Sequence, residues 1–174
     1  MKIGVVSDTH RNKETLDAVA DWLIEKQHIA MLCHLGDDYE DVIDLADKGI
    51  EIVQVPGTYH EGYRSGKLPK KVFENIMGLQ IMLVHTEKDV TEEDRTIADI
   101  ILHGHTHNPE ISLGDGHVLI NPGHLKKSRD KNIDPSFALI DIQDKKIVAK
   151  IFDLSYNPIE EIELYRSEYG LYKR

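Results

Sequence analysis

Residues Lys2–His10 read KIGVVSDTH, an apolar run followed at once by a polar cluster. A short apolar run that leads directly into a helix is typical of a buried strand in an α/β sheet. The helix is predicted next, because apolar residues recur at helical spacing from Leu16 to Ile24 and Asn12 can cap the first turn. This stretch therefore predicts a strand whose polar carboxyl end opens into a helix.

The same layout is repeated twice further along the chain. Ile29–Leu35 (IAMLCHL) stops at Gly36–Asp38 (GDD), and Ile50–Val55 (IEIVQV) stops at a Pro-Gly pair. A short helix is predicted between these strands, around Asp41–Asp47. Alternating strands and helices of this kind indicate parallel strands joined by right-handed crossovers.

The second half of the chain has closely spaced strands and little helix. A polar loop, Thr58–Pro69, precedes it, and one helix is predicted at Thr91–Ala98. Turn residues at Gly114–Gly116 and Asp144-Lys145 indicate hairpins, so this half is predicted to be mainly antiparallel. The predicted strands are Val72–Ile76, Leu79–His85, Asp99–His103, Glu110–Leu113, Val118–Ile120, Phe137–Ile142 and Ile147–Phe152.

The length of 174 residues fits one domain. We expect a single domain over 1–174, with a core that carries the motifs at 1–152 and a C-terminal extension at 153–174. Tyrosines and aliphatic residues in the extension favour an appended helix. The alternative is a contact with another subunit, which would make the protein a homo-oligomer.

The charge balance excludes some classes of partner. Lys and Arg number 21 against 31 Asp and Glu, which gives a net charge of −10. A chain this acidic is poorly suited to stable nucleic-acid binding through phosphates. One cysteine, Cys33, allows no internal disulfide, and neither a signal layout nor an apolar run of ~18 residues is present. We therefore expect a cytoplasmic protein that does not bind membranes.

Carboxylates and imidazoles follow the predicted strands at their carboxyl ends, where ligands bind in open α/β sheets. Residues two apart at a strand end point the same way, so Asp-x-His and His-x-His pairs can reach one centre. Each motif alone is common in surface turns, but here they occur together in a chain with ten histidines. Imidazole and carboxylate without thiolate suit Mn²⁺, Fe²⁺, Ni²⁺ or Zn²⁺. The six candidate ligands are Asp8, His10, Asp37, His85, His105 and His107.

Four other histidines receive no functional role. His34 and His103 lie inside apolar strands and are predicted to be core residues with one hydrogen bond each. His28 follows a helix end and His117 follows a hairpin turn, so both are predicted to face solvent.

The ordered motifs resemble the calcineurin-like metallophosphoesterase superfamily, in particular its small bacterial and archaeal phosphodiesterase branch. The resemblance covers roughly residues 1–152. It implies an α/β fold, a four-layer α/β/β/α sandwich of two mixed sheets, with a dinuclear metal centre at the strand ends. The motifs are Ser7–His10, Leu35–Asp37, Gly57, Leu83–His85, Gly104–His107 and Asn121–Gly123.

The resemblance also implies a division of the ligands. Asp8, His10 and His107 would hold the first metal, His85 and His105 the second, with Asp37 as the catalytic bridge. The cofactors would be two divalent transition-metal ions, manganese first, with nickel, iron, cobalt or zinc as alternatives. A bridging hydroxide would then hydrolyse a small-molecule or nucleotide-like phosphoester, in particular a phosphodiester.

The third motif departs from the family pattern, which has an asparagine ligand after its glycine. Pro56–Glu61 reads PGTYHE, so Thr58 stands in the asparagine place. In a shifted alignment Tyr59 is inserted or replaces a residue, and His60 is the catalytic general acid or transition-state donor. Arg11 stands where glycine is usual, where it can bind a substrate phosphate or be an exposed loop arginine.

Two other functions remain open at this point. The fold can serve as a non-catalytic scaffold that binds a partner protein, as in the retromer subunit of the superfamily. Alternatively, the missing asparagine leaves one tight and one weak metal with low activity. Six of the seven expected ligands are present, which favours a metal-dependent phosphoric ester hydrolase.

Overall fold

The computed structural model describes residues 1–173, which form twelve strands, three α-helices and two 3₁₀ segments. The helices are α1 (Lys13–Glu25), α2 (Glu61–Ser65) and α3 (Glu92–Ile97), and the 3₁₀ segments are Tyr39–Lys48 and Glu87–Asp89. The strands are β1 (Lys2–Val6), β2 (Met31–His34), β3 (Glu51–Gln54), β4 (Lys71–Ile76), β5 (Leu79–Val84), β6 (Ile100–Leu102), β7 (Glu110–Leu113), β8 (Val118–Asn121), β9 (Ser136–Ile142), β10 (Lys146–Asp153), β11 (Pro158–Ser167) and β12 (Gly170–Tyr172).

The strands form two mixed sheets, which confirms the predicted fold class. One sheet has the order β12-β11-β10-β9-β1-β2-β3, and the other has the order β4-β5-β6-β8-β7. In the first, β1, β2 and β3 are parallel, while β9 pairs antiparallel with β1. The prediction of a mainly antiparallel second half is wrong for β5, β6 and β8, which are parallel neighbours. The stretch between β5 and β6 contains α3 and is long enough for a crossover.

Alternating side chains divide the buried apolar residues among layers. Ile3 and Val5 of β1 lie in the core between the two sheets, whereas Val6 packs against α1 with Leu16 and Leu23. A third cluster packs the outer face of the second sheet against the C-terminal end of α3. This arrangement is the four-layer α/β/β/α sandwich. Because β1 is buried on both faces, its sequence is apolar almost throughout.

The C-terminal extension was predicted to be a helix, and this prediction is wrong. Its residues form β11 and β12, which complete the first sheet. Leu164 and Leu171 are buried in the core between the sheets, while Glu161 lies across from Lys150 with a 3.0 Å ion pair. The extension therefore places Leu164 and Leu171 on the core side of the sheet, while Glu161 and most of its other residues are exposed or partly exposed.

Two local predictions about helices also need correction. Asn12 occupies the cap position of α1, but its side chain makes no capping bond and donates instead to the Leu125 carbonyl at 2.8 Å. The predicted helix at Asp41–Asp47 is a 3₁₀ segment that ends at Gly49 with φ of 75°. No helix within residues 1–173 is long and apolar enough to cross a membrane.

The four histidines that were given no functional role differ in part from expectation. His34 and His103 are buried as predicted, but neither nitrogen of His34 has a hydrogen-bond partner among residues 1–173. Burial lowers the pKa of His34 to about 4, so its ring is neutral at physiological pH. His28 is exposed, whereas His117 is buried and the prediction that it faces solvent is wrong.

Candidate metal centre

The carboxyl ends of strands from both sheets meet at one place. Asp8 follows β1, and its amide donates to the carbonyl of Gly36, which follows the parallel neighbour β2. His85 follows β5, and its carbonyl accepts from the amide of Gly104 after β6. The two sheets are joined here because the His105 amide donates to Asp8 Oδ2 at 2.9 Å. The strand ends are therefore held together by hydrogen bonds that backbone amides donate, two to carbonyl oxygens and one to the Asp8 carboxylate.

Four of the predicted ligands form one donor set. Asp8, His10, Asp37 and His107 each offer one ligand atom, and these atoms all lie within 4.8 Å of one another. The Nε2 atoms of His10 and His107 are 3.3 Å apart, and His107 Nε2 is 3.2 Å from Asp8 Oδ1. Imidazole nitrogens and carboxylate oxygens that converge in this way fit a borderline divalent cation.

A second, smaller donor set lies beside the first. His85 Nε2 is 3.2 Å from His105 Nδ1 and 3.4 Å from Asp37 Oδ1. The other oxygen of the same carboxylate, Asp37 Oδ2, is 3.0 Å from His10 Nε2 in the first set. Asp37 thus directs one oxygen toward each group of histidines.

Asp8 provides an independent test of whether these residues fit a metal. Its carboxylate is fully buried, and Oδ2 accepts hydrogen bonds from the Ser7 hydroxyl and the His105 amide. Oδ1 lies 3.2 Å from the ring nitrogen Nε2 of His107 and accepts no well-aligned hydrogen bond among residues 1–173. Burial alone would raise the pKa of Asp8, but the bond with His107 and the nearby His85 lower it to about 2. A buried, ionised oxygen without a well-aligned donor is costly, and a bound cation would satisfy it.

The tautomer of His85 is set by a backbone carbonyl. His85 Nδ1 lies 2.7 Å from the Leu35 oxygen, which can only accept a hydrogen bond. The proton is therefore on Nδ1, and the Nε2 lone pair points toward Asp37 and His105. This arrangement is the usual one for a histidine that binds a metal.

Asp130 is the hydrogen-bond partner that orients His107. It is not among the site residues predicted from the sequence. Asp130 Oδ2 lies 2.5 Å from His107 Nδ1, and Lys126 Nζ donates to Asp130 Oδ1 at 3.0 Å. Burial alone would lower the pKa of His107, but Asp8 and Asp130 raise it above its ordinary value. No motif or spacing marks Asp130, because it lies 23 residues after His107 in an irregular loop.

We expect Asp130→Asn to weaken metal binding at the first donor set by about tenfold or more, the usual effect of losing such a support. A neutral amide would accept a weaker hydrogen bond from His107 Nδ1 and would increase the basicity of Nε2 much less. Calorimetric titration of metal-free protein with Mn²⁺ measures the effect. Asp134→Asn is the matched control, because Asp134 is in the same loop but pairs with Arg129. Equal affinities of both variants and the wild type would contradict the role.

The backbone at the candidate centre is strained. A positive φ is uncommon for residues other than glycine and is concentrated at functional sites. Five of the six predicted ligands have one, whereas His85 at the end of β5 does not. Such conformations persist only where surrounding contacts stabilise them. The five values are 50° at Asp8, 48° at His10, 61° at Asp37, 68° at His105 and 63° at His107.

Two of the motif glycines lie where neighbouring segments of the chain come too close for any side chain to fit. A Cβ at Gly57 would lie 2.5 Å from Asp37 Cα, and a Cβ at Gly104 would lie 2.0 Å from Ser7 Oγ. Any side chain there would push apart the loops that carry the ligands. The third motif thus lies against Asp37 through Gly57. The next residue, Thr58, has a buried Oγ1 with no hydrogen-bond partner among residues 1–173.

A cavity of about 440 Å³ adjoins the first donor set, and Arg11 and His60 line it rather than joining the ligands. Arg11 is largely exposed and donates from Nε to Asp38 at 3.0 Å. His60 begins α2, where Nδ1 accepts from the Gly62 amide and Nε2 lies 2.9 Å from Glu40. The cavity is lined by His10, Arg11, Asp37, Asp38, Glu40, Tyr59, His60 and Glu61.

Comparison with known proteins shows to which family the chain belongs. The family model of the calcineurin-like phosphoesterase superfamily domain matches residues 1–145, so the chain belongs to this family and the resemblance is confirmed. A probable metallophosphoesterase of Methanothermobacter thermautotrophicus is 30% identical over 163 residues, covering 87% of this chain and 91% of that protein. The chain is thus a metallophosphoesterase-family protein, with a group of Asp and His residues at its strand ends that could hold a metal.

Two solved structures show the same fold at low identity. A novel archaeal phosphodiesterase aligns with a TM-score of 0.68 and 20% identity, covering 94% of this chain and 100% of that chain. Wild-type Vps29 of Entamoeba histolytica, in complex with Zn²⁺, aligns with a TM-score of 0.69 and 21% identity, covering 94% and 99%. At these identities the likeness shows the fold alone.

Proposed function

We propose that the protein is a metal-dependent phosphodiesterase with a two-metal centre. The observation that carries this proposal is the position of Asp37, whose Oδ2 is 3.0 Å from His10 and whose Oδ1 is 3.4 Å from His85. An anionic ligand with two oxygens can hold two closely spaced cations. Two bound divalent ions would neutralise the phosphoryl oxygens and supply a nucleophile at neutral pH.

The two donor sets divide the ligands between the metals. In this proposal Asp8, His10 and His107 hold the first ion, His85 and His105 hold the second, and Asp37 is shared. These are imidazole and carboxylate donors, which suit manganese, iron, cobalt, nickel or zinc better than magnesium or calcium. The buried Oδ1 of Asp8, which lies 3.2 Å from His107 Nε2 and accepts no well-aligned hydrogen bond among residues 1–173, supports the first site.

The charges around the cavity favour a diester over a monoester. A phosphodiester carries one negative charge, whereas a monoester carries nearly two at neutral pH. Asp38, Glu40 and Glu61 line the cavity, and the guanidinium of Arg11 is paired with Asp38. A second negative charge on the substrate would therefore be repelled by this rim.

His60 and Arg11 are placed to act on a substrate in the cavity. His60 Nδ1 accepts a hydrogen bond from Gly62, so the proton is on Nε2, which faces Glu40. The Glu40 side chain is 63% exposed and can move aside, which frees Nε2–H for an oxygen of the ester. The Arg11 fork can bind a phosphoryl oxygen while Nε keeps its bond to Asp38.

Hydrolysis assays test the proposal directly. Protein stripped with a chelator is assayed with bis(p-nitrophenyl) phosphate and p-nitrophenyl phosphate after addition of Mn²⁺, Ni²⁺, Co²⁺ or Mg²⁺. We expect activity only with added metal, and a kcat/KM for the diester at least about tenfold above that for the monoester. Metal binding without turnover of either ester would contradict the proposal and favour a scaffold function. Metal binding alone does not discriminate, since the Vps29 of similar fold is itself complexed with Zn²⁺.

Thr58→Asn tests the departure from the family pattern. A hydroxyl is a weaker metal ligand than an amide oxygen, so the second site should be the weaker one and the isolated protein should hold less than two equivalents. We expect Thr58→Asn to raise the second-site affinity about tenfold and to increase turnover at low metal concentration. Thr58→Val is the control, because it preserves the volume but adds no ligand. Unchanged affinity of Thr58→Asn in calorimetry would place Thr58 away from the metal and favour the shifted alignment with His60.

A further inference from the structure

We propose that the cavity beside the first donor set is a subsite for a planar aromatic group of the substrate, so that the preferred esters are aryl or heteroaryl phosphodiesters. This inference rests on the proposed phosphodiesterase function and adds the chemical class of the ester group. The cavity has a volume of about 440 Å³ and shares His10 and Asp37 with the donor set. A group in the cavity would therefore lie beside the metal ions that bind the phosphate in the proposed function.

Tyr59 is the main apolar surface of this cavity. Its side chain is 74% exposed, although an aromatic ring of this size usually gains stability from burial. The Arg64 guanidinium lies over the ring, 5.6 Å from its centroid, and restrains it by a cation–π contact. With Arg64 on one face, the other face is left for a ligand.

A second flat group lines the same cavity. The His60 ring is held by its bond to Gly62 and by Tyr39, whose ring centroid is 5.6 Å away. Tyr59 and His60 thus present two restrained rings in adjacent positions of the chain. Stacking between aromatic rings is favourable and depends little on the detailed structure of the ligand ring. The rings of Tyr59 and His60 are therefore well suited to bind an aromatic ester group by stacking.

The remaining charges of the cavity disfavour other kinds of ester group. Besides Asp37, three acidic side chains line it, Asp38, Glu40 and Glu61, whereas its one arginine is already paired. A further anionic group on the substrate, such as a second phosphate, would be repelled here. A small neutral alkyl group would leave Tyr59 uncovered. A neutral aromatic group is compatible with both the charge and the exposed ring.

Binding of two substrate-like phosphodiesters with poor leaving groups to the manganese-loaded protein tests the subsite separately from turnover. Diphenyl phosphate and dimethyl phosphate carry the same single charge, and only the first has aromatic groups. We expect calorimetry to show at least about tenfold tighter binding of diphenyl phosphate, and Tyr59→Ala to remove that preference. Tyr59→Phe should retain it, because the ring rather than the hydroxyl makes the contact. Tyr169→Ala is the matched control, since Tyr169 is 86% exposed and lies outside this cavity.

The possible outcomes separate this inference from the proposed function. Equal binding of the two diesters, or equal weakening of both by Tyr59→Ala, would overturn the aromatic subsite. If bis(p-nitrophenyl) phosphate is hydrolysed in that case, the phosphodiesterase proposal stands without the subsite. If diphenyl phosphate is preferred through Tyr59 but no ester is hydrolysed, the subsite stands and the proposed activity fails.

Discussion

Replacing Asp37 by asparagine is expected to abolish hydrolysis and to weaken both metals while leaving the fold intact. The carboxylate lies between the two histidine groups, and a neutral amide cannot offset two nearby cations. We expect kcat/KM to fall by at least about a hundredfold, on the scale of losing a central electrostatic group. Steady-state assays, calorimetric titration with Mn²⁺ and thermal unfolding of the metal-free variant measure the three effects.

Asp38→Asn is the control for Asp37→Asn. Asp38 is the next residue and pairs with Arg11, but it is outside the donor sets. Its replacement should change kcat/KM by less than about tenfold, since it removes only an exposed charge pair. Substantial activity in Asp37→Asn, or equal losses in the two variants, would contradict the role of Asp37 as a shared ligand.

The second large effect is expected from removing one histidine from each donor set. His107→Ala should deplete the metal held with Asp8 and His10, whereas His85→Ala should deplete the other metal. Each loss should weaken one of the two binding events by at least about a hundredfold, more than the effect of losing a supporting residue. Titration with Mn²⁺, combined with metal analysis of the dialysed protein, resolves the two events.

A histidine outside the centre provides the control for these two variants. His28 is exposed and has φ of 56°, so His28→Asn keeps a residue that tolerates this conformation. This variant should bind metal as the wild type does. If His107→Ala and His85→Ala deplete the same equivalent, the division of the ligands between two metals is wrong.

The strand-end positions could be predicted from sequence because the signal is local. An apolar run followed by Asp8 and His10, and another followed by Asp37, indicates where a buried strand meets solvent. Parallel neighbours then bring these ends to one edge without any knowledge of side-chain packing. The structure adds the distances between the side chains, which depend on strained backbone at each turn.

Two features could not be predicted because they depend on contacts between distant residues. Asp130 meets His107 only after the loop that carries it folds over the strand ends, and no periodic pattern marks it. The C-terminal extension has aliphatic residues at spacings that fit a helix or a strand. It is a strand because β10 offers a free edge, where Leu164 is buried opposite Ile147.

The environment of His60 also lay beyond sequence reasoning. The alignment around Thr58–Glu61 left open whether His60 reaches the centre. In the structure it begins α2 and lines the adjoining cavity, with both nitrogens in hydrogen bonds. The position of His60 is set by α2, the short helix that it begins. The sequence predicts a loop over Thr58–Pro69, where this helix lies.

Electron paramagnetic resonance of the protein loaded with two equivalents of Mn²⁺ tests the central claim most directly. Two ions that share the Asp37 carboxylate lie ~3.5–4 Å apart, which is close enough for their spins to couple. The account predicts the signal of an exchange-coupled manganese pair, which Asp37→Asn would lose. Two bound ions that give only the hyperfine pattern of isolated Mn²⁺, or a protein that binds a single equivalent, would contradict it.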